Sequence, residues 1–334
     1  MKLFEPDIDI ENDESILEVI KGGNLGFGSN VAKFEKEFAI CSGKRNNIAT
    51  NSASASAFMI FYYLREVFGV CDVYTTTLGF VSPVWAAKHL GHNIHYVDIT
   101  KDLQFDCSDY FLKRGRSNSV NKAVVMPVLY GGVDCIDKWR VFGDEVVVVD
   151  SAHAITPTMG ADYYFFSFHP LKPVCSSDGG MISTDDNEAD EFFRTFRNFG
   201  RVNEGNTYSL QQPGFKFYMN NLNASIALQS LKKYSTQKEQ RKKNYEYIVS
   251  KVSDEIIPHT RKSSYYIGSA LREDADEIID QLKISRLYPL LHKSASVGTK
   301  GILINAERIH GKIVNFPIHH NLTKEQIEYI ITLL

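Results

Sequence analysis

The chain has 334 residues, 43% of them hydrophobic and 23% charged, with a formal net charge of -3. That composition is ordinary for a soluble globular enzyme, and the length allows a large core and about two domains. The balance of charge offers no polycationic surface for nucleic acid, and no apolar run approaches the roughly 20 residues that cross a bilayer.

The N-terminal segment Met1-Lys-Leu-Phe-Glu-Pro-Asp-Ile-Asp is acidic and lacks the apolar stretch of a signal peptide, so a cytoplasmic protein is expected. Cys41, Cys71, Cys107, Cys135 and Cys175 are unevenly spaced, with no Cys-x-x-Cys pair. That pattern predicts incidental thiols rather than a metal centre or a disulfide framework.

A short helix is expected around Glu14–Ile20. The glycine-rich stretch Gly22–Asn30 follows no strand, and its spacing is wrong for a dinucleotide loop. Val31, Phe34 and Phe38 fall at helical spacing, so Val31–Ala39 reads as an amphipathic helix. Asn51 or Ser52 then caps a helix that opens on Ala53, Ser54 and other small residues. Small side chains at a helix start let a ligand reach the backbone N–H groups, which favour an anion; tight packing on a sheet explains them equally well.

From here strands and helices alternate. Val73–Thr76, Asn93–Asp98, Ala123–Leu129 and Glu145–Asp150 read as strands, and Ser82–Leu90 as a helix. Such alternation predicts a parallel sheet covered on both faces, with ligands beyond the carboxyl ends of its strands. Phe80 and Asp150 fall at such ends. The segment 112–122 is expected to be an unordered turn.

Tyr163–Phe168 is an aromatic, buried-strand pattern. It leads into His169-Pro-Leu-Lys172, and then into Asp178-Gly-Gly180 and a second apolar run at Met181-Ile182. An isolated loop lysine is ordinarily solvated. A lysine at the end of a buried strand loses solvation, which lowers its pKa and frees the amine for Schiff-base chemistry. Beyond Asp185, helices are expected at Asp190–Phe196, Leu222–Tyr234 and Gln237–Ser253. A smaller α/β unit follows, giving domains of 1–235 and 236–334.

Lys172, the carboxylate at Asp150, the helix start at Ala53 and the aromatic Phe80 together suggest a pyridoxal phosphate (PLP) site. That cofactor takes a lysine, an acid at its ring nitrogen, an anion cradle and an apolar face. The chain also resembles the DegT/StrS sugar aminotransferases of PLP fold type I over nearly its whole length. The resemblance is carried, in order, by Gly28–Ala39, Val147-Val-Val-Asp-Ser-Ala-His-Ala154, Ser167-Phe-His-Pro-Leu-Lys172 with Asp178-Gly-Gly180, Gly214–Ala224, Leu287-Tyr-Pro-Leu-Leu-His292 and Asn315–Thr323.

The resemblance implies a large domain with a mostly parallel sheet and a smaller C-terminal α/β domain. It implies that Lys172 holds the cofactor covalently and shuttles a proton, that Asp150 pairs with the ring nitrogen, and that His153 lines or bonds the ring hydroxyl edge. Phe80 stacks on the ring, and Ala53, Ser54 and Ser167 bind the phosphate. Lys216 reaches the phosphate of a neighbouring subunit, in a homodimer with shared sites. The implied reaction moves an amino group from glutamate onto a keto sugar, nucleotide-linked, in surface polysaccharide or glycan synthesis. Amination of a small phosphorylated ketone, a sugar dehydratase and a non-catalytic relative are the alternatives; Lys172 argues against the dehydratase. The chain departs from the family at Lys216, where Asn is usual, at Tyr218 for Arg, at Asp178 for Glu, and in a short segment between Ala154 and Ala161. His319-His320 reads as structural.

Overall fold

In a computed structural model, residues 1–5, 14–132, 139–155, 160–252, 255–260, 263–299 and 301–334 are described. Cys135 and the middle of the short segment after Ala154 lie outside them.

A seven-stranded sheet is built from β1 (Asn46–Thr50), β2 (Cys71–Thr76), β3 (Asn93–Val97), β4 (Lys122–Met126), β5 (Val146–Asp150), β6 (Tyr163–Ser167) and β7 (Gly180–Thr184). Their order is β1-β7-β6-β5-β4-β2-β3. Strands β3, β2, β4, β5 and β6 run parallel, and β7 is antiparallel to both β6 and β1. All five residues of β5 are buried, because both faces of a central parallel strand are covered. The observed strands sit within one to three residues of the expected ones; β4 stops at Met126, and Val128 continues beside Asp150 as an isolated bridge. The antiparallel pairing of β7 and the hairpin of β8 (Arg201–Glu204) with β9 (Thr207–Leu210) were not expected.

Helix α1 spans Ser15–Gly22 and α2 spans Ser29–Ser42; α2 buries Val31, Phe34 and Phe38. The glycine-rich stretch between them is structural. A Cβ on Gly28 would lie 2.5 Å from the Asn221 side chain, so only glycine lets the chain pass there. Helix α3 (Ala53–Phe68) covers the sheet, followed by α4 (Ser82–His89), α5 (Cys107–Gly115) and α6 (Asn187–Phe196). The expected turn at 112–122 is thus helical through Gly115. Asp106 caps α5 through Ser108 and Asp109, and Lys113 ties it down by an ion pair to Asp109 at 2.6 Å and a bond to the Tyr96 carbonyl.

The helices expected at 222–234 and 237–253 are one helix, α7 (Asn221–Val249), of 29 residues. Ser235 and Thr236 lack the power of Gly or Pro to break a helix, and Asn220 caps its start by accepting from Asn223 N–H. Along α7 the buried contacts change. Ala224, Ala227, Leu228 and Tyr234 pack with α2 and the sheet, whereas Tyr245 and Ile248 pack with a C-terminal unit. That unit contains β10 (Gly268–Leu271), α8 (Ala275–Leu282), α9 (Ile304–Ile309), β11 (Ile313–Phe316) and α10 (Lys324–Leu333), with β10 antiparallel to β11.

Candidate active site

The carboxyl ends of β5 and β6, the start of α3 and the loop after β2 surround a cavity of about 340 Å³, within the size range of small-molecule sites. Its walls include Ala53, Ser54, Phe80, Asp150, His153, Ser167 and Lys172. Seven of the eight residues expected from sequence therefore meet in one place.

The eighth, Lys216, is absent from that lining. It is exposed, its carbonyl accepts from Asn51 at 3.2 Å, and its amine stands 5.6 Å over the Tyr218 ring. Phe80 is 56% exposed, so its ring is available at the cavity rim.

Asp150 ends β5 and is buried. Ala152 N–H donates to its Oδ1 at 3.0 Å, the one hydrogen bond to the carboxylate among the described residues. Burial pushes its pKa up to about 6, against the pull of that N–H and of the Lys172 ammonium. The chain then turns, Ser151 N–H bonding Phe165 O and Ala154 N–H bonding Ser151 O, and this brings His153 to face the cavity. Gly131 N–H donates to His153 Nδ1 at 3.3 Å, while His153 Nε2 lies 2.7 Å from Tyr288 Oη. Burial holds this imidazole well below its usual pKa and therefore neutral. With Nδ1 accepting, the proton is on Nε2 and is donated to Tyr288, which leaves the phenol proton for another acceptor.

Lys172 lies in a tight loop after β6, with its N–H on the His169 carbonyl. Desolvation lowers its pKa to about 8, with Asp150 acting in the opposite sense, and its amine stands 5.1 Å over the Tyr266 ring. At neutral pH roughly a tenth of such amines are unprotonated and nucleophilic. Ser167 faces the same cavity and accepts from His169 N–H at 3.4 Å.

Opposite, Ser52 caps α3 by accepting from Ala55 N–H at 3.1 Å. The Ala53 and Ser54 N–H groups precede the first helical bonds and have no partner among the described residues. The Gly179-Gly180 pair makes this start possible. A Cβ on Gly180 would lie 2.5 Å from the Ser52 carbonyl carbon, and one on Gly179 would meet Met219 and Ser176.

Sequence reasoning missed two tyrosines in this wall. Tyr288 belongs to a motif noted for resemblance and given no role. Tyr266 had no signal: it packs where Gly132, at φ +79, leaves room, since a Cβ there would lie 2.9 Å from Tyr266 Cβ. Phe4 stacks on Tyr266 with centroids 4.5 Å apart.

The residues present fit PLP. A half-buried amine, a buried carboxylate with room for a further donor, two unpaired N–H groups at a helix start and an aromatic rim are the four features this cofactor takes.

Comparison with known proteins agrees. A sequence profile of the DegT/DnrJ/EryC1/StrS aminotransferase family matches residues 6–334. The chain is 26% identical over 318 residues to the spore coat polysaccharide biosynthesis protein SpsC of Bacillus subtilis, covering 88% of this chain and 80% of that protein. It is 26% identical over 249 residues to the UDP-4-amino-4,6-dideoxy-N-acetyl-beta-L-altrosamine transaminase of Helicobacter pylori, covering 69% of this chain and 64% of that protein. The Spr1654 protein of Streptococcus pneumoniae, solved in a PLP form, has the same fold. Its TM-score is 0.85 at 23% identity, with 99% of this chain and 97% of that chain covered. The fold is PLP fold type I, and the chain belongs to the DegT/DnrJ/EryC1/StrS family of PLP-dependent sugar aminotransferases.

Proposed function

We propose that this aminotransferase moves the amino group of glutamate onto a nucleotide-linked keto sugar, in the cytoplasm, for polysaccharide or glycan synthesis. The observation that carries the assignment of roles is the meeting of Lys172, Asp150 and the free N–H pair of α3 in one cavity. Bound PLP supplies an electron sink next to the carbon whose amino group is exchanged.

Every other task falls to the chain. Ala53 and Ser54 N–H, with the Ser54 and Ser167 hydroxyls, hold the phosphate at the positive end of α3. Asp150 would hold a proton on the cofactor's ring nitrogen, its Oδ1 fixed by the Ala152 N–H. Phe80 covers one ring face and excludes water there. Lys172 Nζ, with its pKa near 8, would hold the cofactor and carry the proton. The proton on His153 Nε2 orients Tyr288 toward the same cavity.

The chain is read as two units, 1–235 for the cofactor and a smaller 236–334. The change of packing partners along α7 supports this division. The exposed Lys216, close to the α3 start through Asn51, is assigned to the phosphate of a second subunit in a homodimer.

Purified protein loaded with PLP should absorb near ~400 nm, as a lysine-bound cofactor does. Lys172→Ala should still bind PLP, lose that band and have no turnover. A variant that keeps the wild-type band and rate overturns the lysine assignment.

A further inference from the structure

Behind Lys172, on the side away from the main cavity, lies a second and smaller one of about 30 Å³. Lys172, Tyr266, Ser230, Gln237, Arg241 and His319 are in its wall. Lys172, Leu171, Phe4 and Tyr266 border both cavities, so the reactive lysine stands in the partition.

Arg241, on α7, is 4% exposed. Its Nε donates to the Ser264 carbonyl at 3.4 Å, and its guanidinium stacks 5.6 Å from the Tyr234 ring. Its Nη2 is buried and has no hydrogen-bond partner among the described residues. Among the described residues no carboxylate pairs with it; the nearest acid in the wall, Glu5, is held by Lys2 at 3.1 Å. An isolated buried cation is costly, and buried charges are as a rule paired. Ser230 Oγ accepts from Cys175 N–H at 3.0 Å, which leaves its own proton to donate. Among the described residues the wall therefore offers the positive charge of Arg241 and the Ser230 hydroxyl proton, with Glu5 as its one acid and that acid paired to Lys2.

We propose that this cavity is a carboxylate site, with Arg241 as its anchor. Size favours a small planar anion: about 30 Å³ is room for roughly two or three water-sized probe spheres, which suits a carboxylate head better than the tetrahedral phosphate. The planar guanidinium fork matches a planar carboxylate. The carboxylate comes either from a free small acid or from the far end of a dicarboxylic amino donor reaching past Tyr266. The site itself stands apart from the assignment of the amino donor.

The test is ligand-observed NMR on the PLP-loaded enzyme, with loading checked by its visible band. The probes are acetate, glutarate and inorganic phosphate, at constant pH and ionic strength. Acetate should bind saturably and phosphate should not compete with it. Arg241→Gln should weaken acetate binding at least tenfold with the visible band unchanged. Glutarate binding ten times tighter than acetate and displacing it assigns the site to the donor; equal affinities assign it to a free acid. Absence of saturable acetate binding in the wild type, or competition by phosphate, overturns the proposal whether or not the variant folds. An adventitious water-filled cavity is then the conclusion.

Discussion

Two segments of this chain carry residues assigned above to the cofactor, and they do so in opposite physical states. The β5 end delivers Asp150 and His153 buried and with displaced pKa values, among groups of their own chain. The segment 214–218 presents Lys216 in solvent among half-exposed aromatics, with no place in its own chain's cavity. The contrast is one of partners: the buried pair is hydrogen-bonded within its own chain, and the exposed lysine lies outside its own chain's cavity. In the homodimer proposed above, the exposed Lys216 among Phe215, Phe217 and Tyr218 is the surface that a second copy would cover.

The hardest blow to the first region is Asp150→Asn. Removing a preorganised charge costs roughly 10²–10³ in kcat, and PLP affinity should fall far less. A near-normal kcat would mean that the β5 end does not hold the ring proton.

Lys216→Ala attacks the second region. A lost charge-assisted hydrogen bond is worth about 1.5–3 kcal/mol, so PLP should be retained roughly 10–100-fold more weakly, read by dialysis and the visible band, with circular dichroism unchanged. Mixing Lys172→Ala with Lys216→Ala subunits sharpens the comparison. One site of each heterodimer then carries both lesions and the other neither, so activity should recover. No recovery despite demonstrated subunit exchange assigns Lys216 to its own chain.

A smaller effect is expected at Tyr288→Phe, which removes the acceptor of the His153 proton. One neutral hydrogen bond is worth about 1 kcal/mol, so kcat/KM should drop roughly fivefold with PLP loading kept. The nitrogen chemical shift of His153 Nε2 should move as well. An unmoved shift would show that the imidazole points its proton elsewhere.

The gentlest test changes only pH. In cofactor-free enzyme, Lys172 should react with an acylating reagent at a rate that rises as pH climbs through about 8, since the lowered pKa frees the amine earlier than usual. Asp150 opposes that lowering, so Asp150→Asn should shift the midpoint to lower pH. A shift upward would reverse the sign of the coupling.

Much of this was legible in the sequence because strand ends are. Val146–Asp150 and Tyr163–Ser167 are apolar runs that stop at a side chain lining the cavity, and buried parallel strands leave that pattern whatever surrounds them. The tyrosines at 266 and 288 were not legible as site residues. They arrive from more than 90 positions beyond Lys172, and their placement depends on Gly132 and on the packing of the C-terminal unit rather than on any local period. The break expected between Tyr234 and Gln237 failed because a change to charged composition does not end a helix that no Gly or Pro interrupts. Asn244, for example, is turned toward the carbonyls of Ile318 and His319 without any interruption of backbone bonding.

That unbroken helix has a mechanical consequence. At 1.5 Å per residue, the 29 residues of α7 form a rod about 43 Å long, gripped at one end by the sheet unit and at the other by the C-terminal unit. A rod with no glycine or proline between its grips has no joint of its own. Any opening of the partition around Lys172 must come from the side chains and loops that lean against α7, while the two units keep a fixed angle where the helix joins them. Arg241 rides on the rod itself, whereas Tyr266 and Phe4 lean in from beside it.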